Sequence, residues 1–398
     1  MRTLLSLLLL AALLQGDTLD SILEYSLNNH GSLKSIQERL SAIENEKSRS
    51  RNFSNPDISF TVNDIQFDNP SDRTLEPMQF SAVNIKQKIP YFGKRDALTQ
   101  KVESKKRFLD MSLQDLKSEL AKEIKITAYS LWDVQKRLKI LDSYIDITNQ
   151  NISLNEAYNI TSSNTHLALM SAKLTLSELK IKKSSLQTLR NSLYEKLSYL
   201  AGKKVETLEL SLSVDEPQSL AFYQDRVAAS SALHVKEAEV QMQKADLHIK
   251  ELAGKIDPYI QAGYYYRENH PDYATVTVGA SLPLYGSEKE SEEEARKLLL
   301  AKSLEQNDLK EKLTSNIAQL YENMQNDYKV YKIITEESMP QIEHLFELVD
   351  SSVKSGDTLF EYIDMLNKKL KLEEQLIQVT AEYNKTKASL DALTGEEL

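Results

Sequence analysis

The chain has 398 residues, with 49 Lys and Arg against 59 Asp and Glu, and so a formal net charge of −10. That acidic balance excludes the basic footprint of a nucleic-acid-binding protein, and ten Gly and nine Pro are too few for a loop-rich sandwich or a low-complexity linker. Cysteine is absent, which removes disulfides, thiolate metal sites, Cys nucleophiles and a lipidated Cys.

Residues 1–16 read as a secretory signal peptide: Arg2 supplies a positive start, Leu4 to Leu14 an apolar stretch, and Gly16 a small residue before Asp17. Beyond it no run approaches the roughly 18 apolar residues of a membrane-spanning helix. An exported chain of this kind is either soluble or inserted as β-structure. A leading helix is predicted over Leu19–Arg51. After Asn55-Pro56 the period changes to two, with Ile58, Phe60 and Val62 alternating with Ser59 and Thr61. Such a strand has one apolar and one polar face. The polar, Pro-containing stretch Asp68–Pro77 is the turn of a strand pair over 56–90.

From Gly93 to Gly202 there is neither Gly nor Pro between. Leu113, Leu116, Leu120 and Ile124, then Leu131, Val134, Leu138, Leu141 and Ile145, recur at spacings of three and four. This predicts long amphipathic helices with a coiled-coil-like seam. At about 1.5 Å per residue, half of the stretch would run roughly 80 Å. A hairpin over 94–201, folding back near Thr161–Thr165, is the reading that follows.

A linker over 203–217 separates this half from a second one over 218–398. Ile89-Pro90-Tyr91-Phe92-Gly93 matches Leu282-Pro283-Leu284-Tyr285-Gly286, 193 residues on. Ser162-Ser163-Asn164-Thr165 faces Ser355-Gly356-Asp357-Thr358, and Leu197, Leu200 and Gly202 recur as Leu390, Leu393 and Gly395, all at that same offset. The period is too long for a solenoid, so the chain is two tandem units over 17–202 and 218–398. The second has its leading helix over Gln218–Ala253 and a strand pair over 258–284, where Val276, Val278, Ala280 and Leu282 alternate with Thr275, Thr277, Gly279 and Ser281. Its hairpin covers 287–395, interrupted only by Pro340 and Gly356, with a seam at Leu359, Ile363, Leu366 and Leu370.

Four strands of about ten residues have the length of tilted membrane strands. Open edges are not tolerated in a bilayer, and small single-chain barrels need about eight strands. Four strands must therefore be pooled from several copies, with the polar face lining a lumen. Tyr91, Phe92, Tyr259, Tyr264, Tyr265, Tyr266, Tyr273 and Tyr285 read as interfacial girdles. The helical hairpins can likewise be arrayed into a hollow barrel. Periodicity leaves the number of copies open. The rival is a soluble periplasmic coiled-coil adaptor or scaffold whose strands form a small sheet, although adaptors usually carry one such hairpin rather than two in tandem.

The duplication, the segment Gln87-Lys88-Ile89-Pro90-Tyr91-Phe92-Gly93-Lys94-Arg95, Asp257-Pro258 followed by Ser281-Leu282-Pro283-Leu284-Tyr285, and the run from Val353 to Gly395 resemble the TolC family of outer-membrane efflux proteins. The Pro-Tyr-Phe-Gly-Lys-Arg version looks closest to its CusC/CzcC heavy-metal branch. The resemblance covers roughly Leu19 to Gly395. It implies a mostly α fold with a membrane β-barrel: a homotrimer whose 12-stranded barrel in the outer-membrane lipid is continued by a periplasmic α-barrel. It also implies a periplasmic membrane-fusion adaptor and an inner-membrane pump, of resistance-nodulation-division or ABC type, as partners. The channel then passes small molecules or metal cations passively; type I protein secretion is the alternative cargo on the same fold. Many relatives of the metal branch start with a lipidated Cys, which this chain lacks.

The resemblance further implies an acidic ring just past the Gly of the last hairpin. Asp357, Glu361 and Asp364 are the candidates for that constriction, with Tyr362 as a gating contact. Like charges in such a ring favour cations and raise one another's pKa. The turns at Ser163, Asn164 and Thr165 and at Gly356 and Thr358 are candidates for adaptor docking, Gly356 also being an ordinary helix terminator. The six His residues include no i, i+4 pair, so no metal site is expected. The acidic run Glu288 to Glu294 suits a helix N-terminus. Without Gly-x-Ser-x-Gly, a phosphate loop or His-Glu-x-x-His, neither enzyme chemistry nor a cofactor is expected.

Overall fold

The computed structural model describes residues 17–157, 163–353 and 359–395. The signal-peptide reading, and Gly356, Asp357 and Thr358, lie outside the described residues. In chain order the elements are β1 (Asp17–Thr18), α1 (Leu19–Asn29), α2 (Gly31–Ser50), β2 (Asp57–Asn63), β3 (Phe80–Lys88), α3 (Lys94–Ala157), α4 (Ser163–Ala201), β4 (Leu208–Glu209), α5 (Leu220–Gln224), α6 (Ser231–Ala253), β5 (Asp257–Tyr266), β6 (Tyr273–Ser281), α7 (Ser287–Lys332), α8 (Met339–Val353) and α9 (Leu359–Thr394). A 3₁₀ turn spans Val227–Ala229, and a π-helical segment spans Ile333–Ser338.

Each leading helix is broken where one continuous helix was expected. His30 turns extended (φ −61°, ψ 133°), and its Nδ1 meets Ser32 Oγ at 2.6 Å. Asn28, Asn29 and Ser32 favour such local bonds over helix continuation. In the second half, Ser219 caps the short α5 by accepting from Phe222 N, and the 3₁₀ turn intervenes before α6. Among the described residues the long helices are regular except near Pro340. Proline has no N–H to donate and clashes with the preceding turn; the wider π segment immediately before it absorbs the misfit. The duplication is visible in the backbone itself. Gly93 and Gly286 share φ near +80° (+77° and +80°), and Gly202 and Gly395 share +69° and +65°, conformations that glycine alone adopts freely.

The chain forms two compact units, each built from both halves of the sequence. The helical unit comprises residues 17–35, 113–232 and 310–395. Its seam on α3 buries Leu120, Ile124, Ala128, Leu131, Val134, Leu138, Leu141 and Ile145, a mean step of about 3.5 residues as in coiled coils. One cluster joins Ile22 and Leu33 to Ile124, Leu131, Leu197 and Leu208. Another joins Leu141, Tyr144 and Ile152 to Leu179, Leu186, Ile363, Leu366 and Leu370. Each such side chain contributes about 1.5–3 kcal/mol. The parallel pair β1–β4 ties residue 17 to the segment called a linker, and that segment is strapped to α9 by Tyr383 Oη donating to Asp215 O and Asn384 Nδ2 to Ser213 O.

The sheet unit comprises residues 36–112 and 233–309. Its helices bury few large side chains, Ile43, Val102, Leu233 and Leu247 among them. They are laced by ion pairs, including Lys47–Glu103 (2.9 Å), Glu46–Lys105 (2.7 Å) and the four-membered set of Lys236, Glu239, Lys302 and Glu305. Its strands form a single antiparallel sheet in the order β2-β3-β5-β6. The two predicted strand pairs are thus joined, through β3–β5, into one ribbon with β2 and β6 as its edges.

Candidate functional site

Strand register sorts every side chain of this sheet onto one of two faces. Ile58 lies opposite Ile85, Phe60 opposite Val83, Val83 opposite Tyr264, Ile85 opposite Ala262, and Ile260 opposite Val278. One face therefore carries Ile58, Phe60, Val62, Val83, Ile85, Ile260, Ala262, Val276 and Val278. The other carries Ser59, Thr61, Asn84, Lys86, Gln261, Thr275 and Thr277. Alternation at period two produces this separation directly.

The apolar face is exposed on all four strands. Ile58 and Phe60 are 71% and 70% exposed, and Val276 and Val278 are 75% and 73% exposed. On the polar face Ser59, Thr61 and Thr277 of the edge strands are exposed as well, whereas on the central strands Ala82, Asn84 and Gly263 are buried. What covers them is tyrosine. The Tyr265 ring lies across Gly263, where a Cβ would meet Tyr265 Cε2 at 2.8 Å. Its hydroxyl donates to Asn84 Oδ1 at 3.2 Å, and it stacks on Tyr273 at 4.7 Å between centroids. Tyr259 lies over Gly279 in the same manner, so that any side chain there would occupy the ring's place, and Lys86 Nζ sits 4.0 Å from the Tyr259 centroid. Gly263 and Gly279 are required by this close approach.

Three of the eight aromatic residues expected in girdles thus belong to the polar face: Tyr259, Tyr265 and Tyr273. Tyr264 and Tyr266 do lie on the apolar face near the β5–β6 turn, and Tyr91, Phe92 and Tyr285 are exposed beside the helix ends. The turns themselves are tightly held. Gln79 is buried; its Oε1 accepts from Leu75 N and Glu76 N, and its Nε2 donates to Asp64 O and Asp72 O. Arg73 donates to three strand-end carbonyls of the same turn, those of Asn63, Asp64 and Phe80. The Thr74 hydroxyl and backbone N–H hold the Asp72 carboxyl below its usual range. Neither the ring-over-glycine pairs nor this lock was legible beforehand, because both depend on register.

The residues expected at the hairpin end fall as follows. Ser163, Asn164 and Thr165 form the first turn of α4, and Glu361 is exposed in the first turn of α9. Asp364 is exposed and paired with Lys368 at 2.7 Å. Tyr362 is buried in the helical core, its ring 5.3 Å from that of Phe346. Deeper in the helical unit is a charged group that sequence reading missed. Arg137 reaches Asp133 at 3.4 Å and Glu374 at 3.7 Å, and Lys182 also pairs with Glu374. Burial raises the Asp133 pKa against the pull of Arg137. Among the described residues no cluster of His, Asp or Glu is arranged to hold a metal ion, and no helix is long and apolar enough to cross a membrane.

No family model and no curated protein matches this sequence. Solved structures do match its fold. The outer-membrane protein VceC from Vibrio cholerae superposes with a TM-score of 0.78 at 14% identity, over 95% of this chain and 96% of that one. The open MtrE outer-membrane channel of Neisseria gonorrhoeae gives 0.79 at 11% identity, over 95% and 88%. CusC, whose structures concern folding and transmembrane channel formation, gives 0.78 at 11% identity, over 95% and 92%. The chain therefore has the TolC-like fold, mostly helical with one small antiparallel sheet per chain.

Proposed function

We propose that this chain is one subunit of an outer-membrane efflux channel, and that it conducts solutes passively rather than performing chemistry. One observation carries the reading: a sheet whose apolar face is exposed, whose polar face is lined by its own side chains, and whose two edges are open. In water that arrangement exposes hydrophobic area and invites edge pairing. In lipid it is the stable one, provided the edges close.

Closure follows from the topology. Four strands alternate in direction, so β6 of one copy can pair antiparallel with β2 of the next, and the ring is antiparallel throughout whatever the number of copies. The TolC-like fold supports three, hence twelve strands in the outer membrane and a helical tube in the periplasm. Solutes enter from a periplasmic adaptor and an inner-membrane pump, which supplies the energy. Small molecules or metal cations are the cargo we assign.

At the hairpin end, Asp357 and Glu361 are our candidates for the acidic constriction. Asp364 contributes less, because Lys368 offsets its charge. Tyr362 acts by fixing α9 against α8 through Phe346 rather than by facing the lumen. The turns at Ser163–Thr165 and at Gly356 and Thr358 present the adaptor-docking surface. The test is assembly and leak: the purified protein is expected to be trimeric in mild detergent and to render lipid vesicles ion-permeable. A monomer that causes no leak would overturn the channel, and recovery in the periplasmic supernatant without detergent would favour an adaptor or scaffold.

A further inference from the structure

The polar face is almost free of charge except at one end. From the β2–β3 and β5–β6 turns down towards the helices it presents Asn63, Thr61, Ser59, Asn84, Gln261, Thr275, Thr277 and the tyrosines. Its charged residues gather where the strands meet the helices: Asp57 opens β2, Lys86 and Lys88 close β3, and Asp257 opens β5. Asp257 is neutralised by Lys94 at 2.7 Å. Lys86 lies directly opposite Asp57 in register, yet its ammonium is drawn over the Tyr259 ring. A cation over an aromatic face is held in place while keeping its full charge. Lys88 is exposed, and among the described residues neither lysine is ion-paired. Two cations thus stand against one carboxylate in every copy.

Resting on the channel reading above, we propose that Lys86 and Lys88 form a cationic belt at the foot of the barrel that favours anionic solutes in this section of the lumen. Ring closure does not cancel it. The strand that closure places beside β2 is β6 of the neighbouring copy, whose polar face, Tyr273, Thr275, Thr277, Gly279 and Ser281, carries no charge. The belt is therefore positive although the chain as a whole is strongly acidic. Rings of Lys or Arg bias a pore toward anions. The effect is strongest at low salt, where the screening length is about 30 Å at 0.01 M and about 3 Å at 1 M.

The experiment is the reversal potential of the full-length protein in neutral planar bilayers under a dilute KCl gradient. Replacing both lysines (K86Q with K88Q) is expected to shift it toward cation preference, and K86R with K88R to leave it where it was. At 1 M salt the difference should vanish. Since the chain has no Cys, a Lys88→Cys variant can also be modified after assembly, which bypasses any folding defect. A sulfonate-bearing thiol reagent should shift the potential further toward cations, and an ammonium-bearing one should restore it. A conducting double-Gln variant with an unchanged reversal potential, or a Cys variant indifferent to the sign of its modification, overturns the belt and leaves the channel standing. A wild-type protein that never conducts overturns both.

Discussion

The helical unit and the strand ribbon both carry apolar side chains at a regular period and use them in opposite senses. Leu131, Leu141 and Leu197 are fully buried in the helical seams, whereas Ile58, Phe60 and Val278 are mostly exposed on the sheet. The first pattern stabilises a fold in water by removing apolar surface. The second leaves that surface out and covers parts of the polar face with rings laid over glycine. Hydrophobicity alone does not distinguish a core from a lipid surface; which face is covered does.

The largest effect that would break this contrast is expected where charges are partly buried among helices. Arg137→Ala leaves Asp133 without its guanidinium and Glu374 with Lys182 alone, and for side chains that keep some exposure the loss should lie at the low end of the buried-pair range, about 3 kcal/mol. Urea unfolding followed by far-UV circular dichroism would read it; a loss below about 1 kcal/mol would show that water already reaches the group. Next come paired substitutions that set the two surfaces against each other. Leu141→Ala should cost about 2–5 kcal/mol of helical stability. Val278→Ala should leave the helical melt unchanged. Val278→Lys should instead oppose insertion, by about 2–4 kcal/mol at mid-bilayer, while Thr277→Lys on the other face should still assemble in membranes. Equal behaviour of the two lysine variants would contradict the assignment of faces.

Much of this was legible in the chain itself. The spacing of Leu131, Val134, Leu138 and Leu141 located the seam of α3, and the alternation of Ile58, Phe60 and Val62 located an amphipathic strand. The matching glycines at 93 and 286 marked equivalent backbone. Three features were not legible. The break at His30 depends on a local side-chain bond that competes with the helix. The joining of β3 to β5 is a pairing between residues about 180 apart, for which a strand's own pattern carries no signal. For the same reason Tyr259, Tyr265 and Tyr273 could not be separated from Tyr264 and Tyr266: neighbouring tyrosines along a strand point to opposite faces, and only register says which face is which. The π segment preceding Pro340 lies between these cases. The proline announced a disturbance, but not its form.

A smaller effect, expected to stabilise, concerns acid. Burial, reinforced by the Glu382 charge, raises Asp327 in α7 from 3.8 to about 6. A carboxyl raised in the folded state penalises folding when ionised. The penalty is full above about pH 6, shrinks as pH falls, and is gone below about 4. Asp327→Asn should thus stabilise the helical unit at pH 7.5, by on the order of 1 kcal/mol after allowing for its partial exposure, and have no effect near pH 4. Thermal melts of both proteins at the two pH values would decide; equal stabilisation at both would locate the effect elsewhere than in ionisation.

The ion-paired helices of the sheet unit should answer acid with the opposite sign. Glu103 is held below the usual carboxylate range chiefly by its hydrogen bond from Lys47, and the pair, 2.9 Å apart, is substantially exposed. A depressed carboxyl stabilises the fold above its unfolded pKa, and that contribution is lost as pH falls through the folded value. Glu103→Gln should therefore cost little at pH 7, between about 0 and 1 kcal/mol, and nothing once the pair is protonated apart. Salt provides the second axis. At 1 M, where the screening length is about 3 Å, the variant and the parent should converge at pH 7, whereas the Asp327→Asn gain, which arises mainly from desolvation, should persist. Amide hydrogen exchange along α2 and α3 for the first variant, and along α7 for the second, would separate the two responses. If both vary with salt alike, the helices of the two units are held by the same forces, and the distinction between a ladder of charges and a seam of leucines does not describe their stability.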